Sequence, residues 1–332
     1  MSLRLIEVSL RGTPVEVDDL ARDFHVVDAW GVDTTNGGSS LRLLVEAERT
    51  EALIDTLRDR FSGSDLRIVV LTVEATVPKV EEEIPEEETD DATPGRISRE
   101  ELHDDVAHAA RLTPVFVAMV VLSTVVAAVG LVRDDVAIVI GAMVIAPLLG
   151  PNMALAFAAT LGDTGLARTA LRTIAVGVGT AGVCAIAFGM LFTIDPSVPG
   201  IADRTQAGLG DIALGFAAGA AGTLAVTGGL PSAVVGVMVA VALLPPLVVA
   251  GLLTGAGYPE GATGALLLVG TNVACINLAA VGTFLIQRVR PRSWWEADRA
   301  RDAIRIAVIS WVALLLLLLA TILFGEIGLE LS

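Results

Sequence analysis

From residue 113 onward the chain runs through seven apolar segments, near 113–132, 136–161, 166–193, 210–228, 231–255, 261–288 and 304–325. Each is long enough to cross the ~30 Å hydrocarbon core of a bilayer. A backbone in lipid has to satisfy its own hydrogen bonds, so segments of this kind are expected to be helices. The predicted fold class is therefore an α-helical multi-pass membrane bundle of about seven spans.

Two of these segments share a phrase. Gly141-Ala142-Met143-Val144-Ile145-Ala146-Pro147-Leu148-Leu149-Gly150-Pro151 is answered by Gly236-Val237-Met238-Val239-Ala240-Val241-Ala242-Leu243-Leu244-Pro245-Pro246, with six of eleven positions identical. Both phrases carry proline in mid-segment. Proline removes a backbone donor and clashes with the preceding turn, so both segments are expected to break. Segments one to three would form one repeat (about 113–193) and segments four to six a second (about 210–288). Because three is odd, the second copy enters from the opposite side, which gives an inverted 3+3 repeat. Span 304–325 is left over. Inverted repeats with discontinuous helices are the pattern of transporter cores, with the site between the copies.

Charge fixes the expected orientation. Arg168, Arg172 and six further arginines between 288 and 305 fall on one side of this arrangement, and only Arg133 and Arg204 on the other. The positive-inside rule puts the richer side, and the N-terminus with it, in the cytoplasm. The expected location is the plasma membrane.

Ahead of the membrane part, residues 3–10, 25–32, 40–47 and 66–76 read as strands and 14–23 and 50–61 as helices, with a turn over 34–38. This βαββαβ order predicts a small α+β domain, ferredoxin-like or ACT-like, over 1–77. Such a short domain has little core of its own, so a homo-oligomer or docking is expected. Residues 78–97 are an acidic linker with too little apolar content to bury, and Ser98 caps an amphipathic helix over 98–112. Residues 1–112 hold 26 acidic and 12 basic residues, and the chain has a single lysine, Lys79, beside 21 arginines. An acidic surface almost free of lysine resembles those of salt-adapted halophile proteins. The lack of a basic stripe argues against nucleic acid.

Several motif matches carry no chemistry. Gly177-Val178-Gly179-Thr180-Ala181-Gly182 fits a dinucleotide string but lies in an apolar helix and follows no strand. Gly208-Leu209-Gly210-Asp211 fits the intramembrane aspartyl protease string, but the second carboxylate is missing, so Asp211 is expected to cap segment four. Cys184 and Cys275 read as small core residues. All three histidines precede the membrane part. No catalytic residue, metal site or cofactor is expected, nor an enzyme.

The candidate ligand-binding residues are Pro147, Gly150, Pro151 and Asn152 in the first copy, and Pro245, Pro246, Asn272 and Asn277 in the second. The prolines free backbone groups at membrane depth, and amides there are costly enough to face the bundle interior. No charged side chain lies deep in a span. Backbone groups and amides suit a neutral or weakly anionic solute, or a cation held by carbonyls.

With the two phrases, Pro151-Asn152 and Thr271-Asn272-Val273-Ala274-Cys275-Ile276-Asn277 in view, the chain resembles an uncharacterised hydrophobic-domain membrane family of archaea and bacteria, domain of unknown function 389. The resemblance covers about residues 105–290, and the acidic domain ahead of it matches the archaeal type. It implies a multi-pass membrane protein and supplies no catalytic residues. The expected function is passage of a small solute or ion, with the N-terminal domain as regulator or dimeriser. The alternative is a membrane-anchored sensor or scaffold whose N-terminal domain binds the ligand, without transport.

Overall fold

A computed structural model describes residues 3–10, 26–33, 39–61, 66–73, 99–229, 232–289 and 294–330. The chain forms two compact units, Met1–Asp104 with Thr227–Gly229 and Asp105–Val226 with Leu230–Ser332.

In the N-terminal unit, strands β1 (Leu3–Leu10), β2 (Asp28–Asp33), β3 (Ser39–Glu46) and β4 (Leu66–Val73) form one antiparallel sheet in the order β2-β3-β1-β4. That order is the one a ferredoxin-like βαββαβ chain requires. Alternation sets the faces. Ile6 and Val8 stand opposite Leu43 and Leu41 and join Val45 in the core. Helix α1 (Thr50–Arg60) adds Leu53 and Leu57 to the same cluster, at helical spacing. On the other face Ser40 and Arg42 donate to the Glu7 carboxylate at 3.1 and 3.3 Å. Arg4 grips Glu101 with two bonds of 3.0 Å. The expected helix 14–23, turn 34–38 and linker 78–97, and the cap Ser98, lie outside the described residues.

Helix α2 (Arg99–Ala109) leads into the second unit. There follow α3 (Pro114–Val132), α4 (Val136–Ile145), α5 (Leu149–Leu161), α6 (Thr164–Leu191), the short α7 (Pro199–Ala202), α8 (Leu209–Thr227), α9 (Ser232–Ala256), α10 (Pro259–Ile286) and α11 (Trp294–Glu330). Polar caps start them where the sequence offers one. Thr113 Oγ1 accepts from the Phe116 N–H, Asp135 from Ala137 and Ile138, and Asp163 from Gly165 and Leu166. Asp211 reaches back to the Gly208 N–H at 2.9 Å, the capping role expected of it.

Among the described residues, five helices are long and apolar enough to cross a membrane: α3, α6, α8, α10 and the Ala300–Thr321 part of α11. The bent pair α4–α5 makes a sixth if counted as one span, and Ala242–Ala256 of α9 forms a shorter apolar stretch. The lengths recur. α3 and α8 each have 19 residues, α6 and α10 each have 28, and Leu209 and Pro259 begin 95 residues after Pro114 and Thr164.

Small residues set the closest contacts, as they do between membrane helices. A Cβ at Gly189 would strike the Leu252 backbone, and one at Gly255 the Ile186 carbonyl, so α6 and α9 touch backbone to backbone. Gly215 and Gly219 of α8 lie against Cys275 and Ile276 of α10. Cys275 is buried and free, and Cys184 is half-buried and free.

Candidate functional site

Pro147, Gly150, Pro151 and Asn152 fall at the interruption between α4 and α5, whereas Pro245, Pro246, Asn272 and Asn277 lie inside continuous helices. Pro147 disfavours the helical region for the residue before it. Ala146 is accordingly extended, at φ −67° and ψ 122°. The chain resumes as α5 from Leu149, and the two helices meet at 52°. Gly150 and Pro151 occupy the second and third positions of α5. A missing N–H is harmless there, because the first N–H groups of a helix have no partner within it. Pro147 itself is half-buried in the break.

Gly150 makes a close contact with another helix. A Cβ at this position would lie 2.8 Å from the Ala109 Cβ and 2.9 Å from the Ala109 carbonyl oxygen. Only glycine lets the end of α2 come this close. Thr173 of α6 holds the same end by donating to the Ala110 carbonyl at 2.8 Å.

Asn152, one residue into α5 from Pro151, is 3 % exposed. Its Nδ2 donates to the Leu148 carbonyl at 2.8 Å, and its Oδ1 accepts from Asn277 Nδ2 of α10 at 3.4 Å. Asn277 also donates to Val273 at 2.9 Å. The two amides that the sequence places 125 residues apart therefore meet.

Pro245 and Pro246 behave otherwise. The expected second break does not occur, since α9 is continuous from Ser232 to Ala256 with both prolines inside it. The reason lies on the neighbouring helix. Pro246 has no N–H for the Ala242 carbonyl four residues earlier. Asn272 of α10 supplies a donor instead, with Nδ2 at 2.7 Å from that oxygen. The residues standing 95 positions before Pro246, Ala242 and Asn272 are Pro151, Pro147 and Gly177. Glycine has no amide to offer, and an additional proline sits at the acceptor position. The first phrase opens, while the second is tied to α10.

The tie leaves oxygens unused. Asn272 Oδ1, Asn277 Oδ1 and Thr271 Oγ1 are buried without a hydrogen-bond partner among the described residues. Thr271 escaped the sequence reading, because a threonine in a membrane helix ordinarily bonds back to its own helix, as Thr283 does to Ala279 at 2.8 Å. Its position directly before Asn272 was the available signal.

A narrow cleft of about 20 Å³, partly open to the surface, runs along these elements. Leu148, Pro151 and Asn152 line it from the break, Leu243 and Leu247 from α9, and Val273 from α10. Apart from Asn152 these walls are apolar.

At one end of the unit the turn after α3, the segment between α6 and α8, and the turn after α9 come together. Asp134 Oδ1 accepts from the Gly200 N–H at 2.9 Å, and Thr205, Tyr258 and Glu260 line one open hollow. Arg204 reaches the Gly200 carbonyl. Burial pushes its pKa down, and nearby Asp203 and Asp134 work against that shift.

Comparison with known proteins bears on the whole chain. The family model described as Domain of unknown function (DUF389) matches residues 143–278, a stretch that runs from the first phrase to just past Asn277. The Uncharacterized protein MJ0678 of Methanocaldococcus jannaschii is 35% identical over 326 residues, which is 98% of this chain and 100% of that protein. No solved structure matches the chain. The likeness to MJ0678 takes in the N-terminal unit as well as the membrane helices, and the chain belongs to the DUF389 family, in its archaeal type.

Proposed function

We propose that the membrane unit passes a small solute or ion across the plasma membrane, at the interface between two inverted three-helix repeats. In this reading α4–α5 and α9 each cross once, giving seven spans with α11 as the extra one. The N-terminal domain lies in the cytoplasm as regulator or dimeriser. The observation that carries it is the lining of the cleft. Leu148 and Leu243 hold matching places in the two phrases, and Asn152 and Leu247 follow at the same offset, yet all four face one space. Matching positions that converge are what an internal symmetry axis produces. A broken helix beside buried amides supports the same reading, because irregular backbone at membrane depth belongs to protein interiors and cavities.

The test is uptake into proteoliposomes across a panel of small solutes and ions. Wild-type protein is expected to show flux, and Asn152→Leu to lose it while melting close to wild type. Flux that survives Asn152→Leu, Pro151→Ala and Pro246→Ala alike would remove the interface as the site. No wild-type flux, together with a ligand bound by the N-terminal domain, would replace transport by the sensor reading.

A further inference from the structure

We infer that the N-terminal domain pairs with a second copy of this chain through the open face of its sheet, with Arg67 of each copy set on Asp28 of the other. This rests on the reading of that domain as a dimeriser and gives it a surface. The face is the one turned away from α1. Register puts Leu44, Leu5 and Leu71 side by side across three strands, and Trp30, Arg42, Glu7 and Val69 in the next row. The solvated side of an antiparallel sheet is ordinarily polar. Here Trp30 is 38 % exposed, Val69 41 % and Leu71 45 %. Apolar side chains in such rows call for a covering layer.

The charges on this face select a second copy as that layer. Residues 1–112 hold 26 acidic and 12 basic residues, so two such domains repel over most of their surface. The open face is the exception. Glu7 is held by Ser40 at 3.1 Å and Arg42 at 3.3 Å, and Glu46 by Arg49 at 3.4 Å. That leaves Asp28 on β2 and Arg67 on β4 as exposed charges at opposite corners.

Three strand spacings separate these two across the sheet, about 14 Å, and four residues along it, also about 14 Å. The line joining them therefore runs at about 45° to the strands. A two-fold axis lying in the interface, at right angles to that line, sets each Arg67 over the other copy's Asp28. It crosses the two sets of strands at about 90°, one of the two ways in which sheets pack. It also passes over Leu71, so the two Leu71 side chains meet. Such a contact is isologous, as in most dimers. Strands about 4.8 Å apart and of up to eight residues, each about 3.4 Å long, make a face of about 500 Å². Two copies then bury about 1,000 Å², where specific interfaces begin. In the proposed topology both copies are also anchored at one membrane surface, which raises their effective concentration.

The experiment uses the full-length protein, with Cys184 and Cys275 changed to Ala, in liposomes at a series of protein densities. Single-molecule photobleaching counts the copies, and dimers are expected at the higher densities. Arg67→Asp or Asp28→Arg alone puts like charges together and should raise the half-dimerising density at least about tenfold. Both changes in one chain should restore it, which a merely structural role of either residue would not do. A short bismaleimide should link Leu71→Cys between copies and leave Thr72→Cys, one residue on and facing the other way, unlinked. Monomers at every density, dimers untouched by either single charge change, a loss that the double variant does not restore, or linking of Thr72→Cys in place of Leu71→Cys overturns the inference. A monomer whose Leu71→Cys is shielded from an aqueous thiol reagent by lipid and freed by detergent overturns it too, and gives the face to the bilayer. Uptake is measured in the same liposomes. Dimers without flux support the inference while solute passage falls, and flux from monomers does the reverse.

Discussion

Asn272→Leu isolates the contact that keeps α9 whole. The two side chains branch alike, so no cavity opens, but a methyl cannot sit 2.7 Å from the Ala242 oxygen as Nδ2 does, and some overpacking adds to the loss of the bond. A hydrogen bond between membrane helices averages only about 0.6 kcal/mol. Ala242, however, is 1 % exposed, and Pro246 has already taken its in-helix donor. Removing Asn272 Nδ2 leaves that carbonyl unpaired, at a cost of about 1–3 kcal/mol. Loss of the orphaned Oδ1 returns part of this, so a net destabilisation of about 1–2 kcal/mol is expected. Asn152→Leu should cost less, about 0.6 kcal/mol, because its Nδ2 adds a second donor to a Leu148 carbonyl that the helix already serves. Reversible unfolding in mixed detergent measures both. The decisive comparison is a double-mutant cycle. Pro246→Ala restores an N–H to Ala242, so it should rescue Asn272→Leu with a coupling of about 1 kcal/mol. Spin labels at the ends of α9 should show it bending in Asn272→Leu and straight in the double variant. Additive energies and an unbent helix in the single variant would refute the account.

Three further outcomes are expected. Gly255→Leu should destabilise the membrane unit by about 1–3 kcal/mol or more, since any Cβ there meets the Ile186 backbone, while Gly141→Ala, in open space, should be neutral or stabilising; equal losses would remove the close-packing argument. On a cysteine-free background, an impermeant thiol reagent outside intact cells should label Ser332→Cys and spare Ser293→Cys; labelling of both, or the reverse, would sink the seven-span topology. With Trp294, Trp295 and Trp311 changed to Phe, Trp30 fluorescence should report earlier unfolding of the N-terminal unit as salt falls from 1 M to 0.1 M, where the Debye length grows from about 3 to about 10 Å; a flat or rising midpoint would separate the acidity from salt adaptation.

What the sequence discloses depends on how local the cause is. Strand β1 runs over the residues its alternation marks, and α1 buries Leu53, Ile54 and Leu57 as its spacing requires, because one buried face dictates the pattern. The Asp211 cap, expected from the sequence, acts on an N–H group three residues away, and Thr113, Asp135 and Asp163 act over the same short range. Pro147 is legible too, since a proline restricts its own neighbour.

The prolines of α9 mark where that kind of inference stops. A proline fixes which carbonyl loses its donor, but not what the carbonyl does next. Ala242 is rescued by Asn272, on the following helix and across a turn. The same kind of distant cause holds for Gly150, which packs against Ala109 on a separate helix. Two phrases of nearly equal composition thus give one broken helix and one continuous one, and two positions separate them: Pro147 stands where the second phrase has Ala242, and Gly177 where Asn272 stands 95 residues later. An asymmetry of this kind has a consequence for function. A pair of identical breaks would offer donors and acceptors on both sides of the axis. In the proposed solute-passage reading, the broken pair α4–α5 is the part free to move and the tied α9 the fixed part, so the movable partner is expected to be α5, with Asn152 bridging to Asn277.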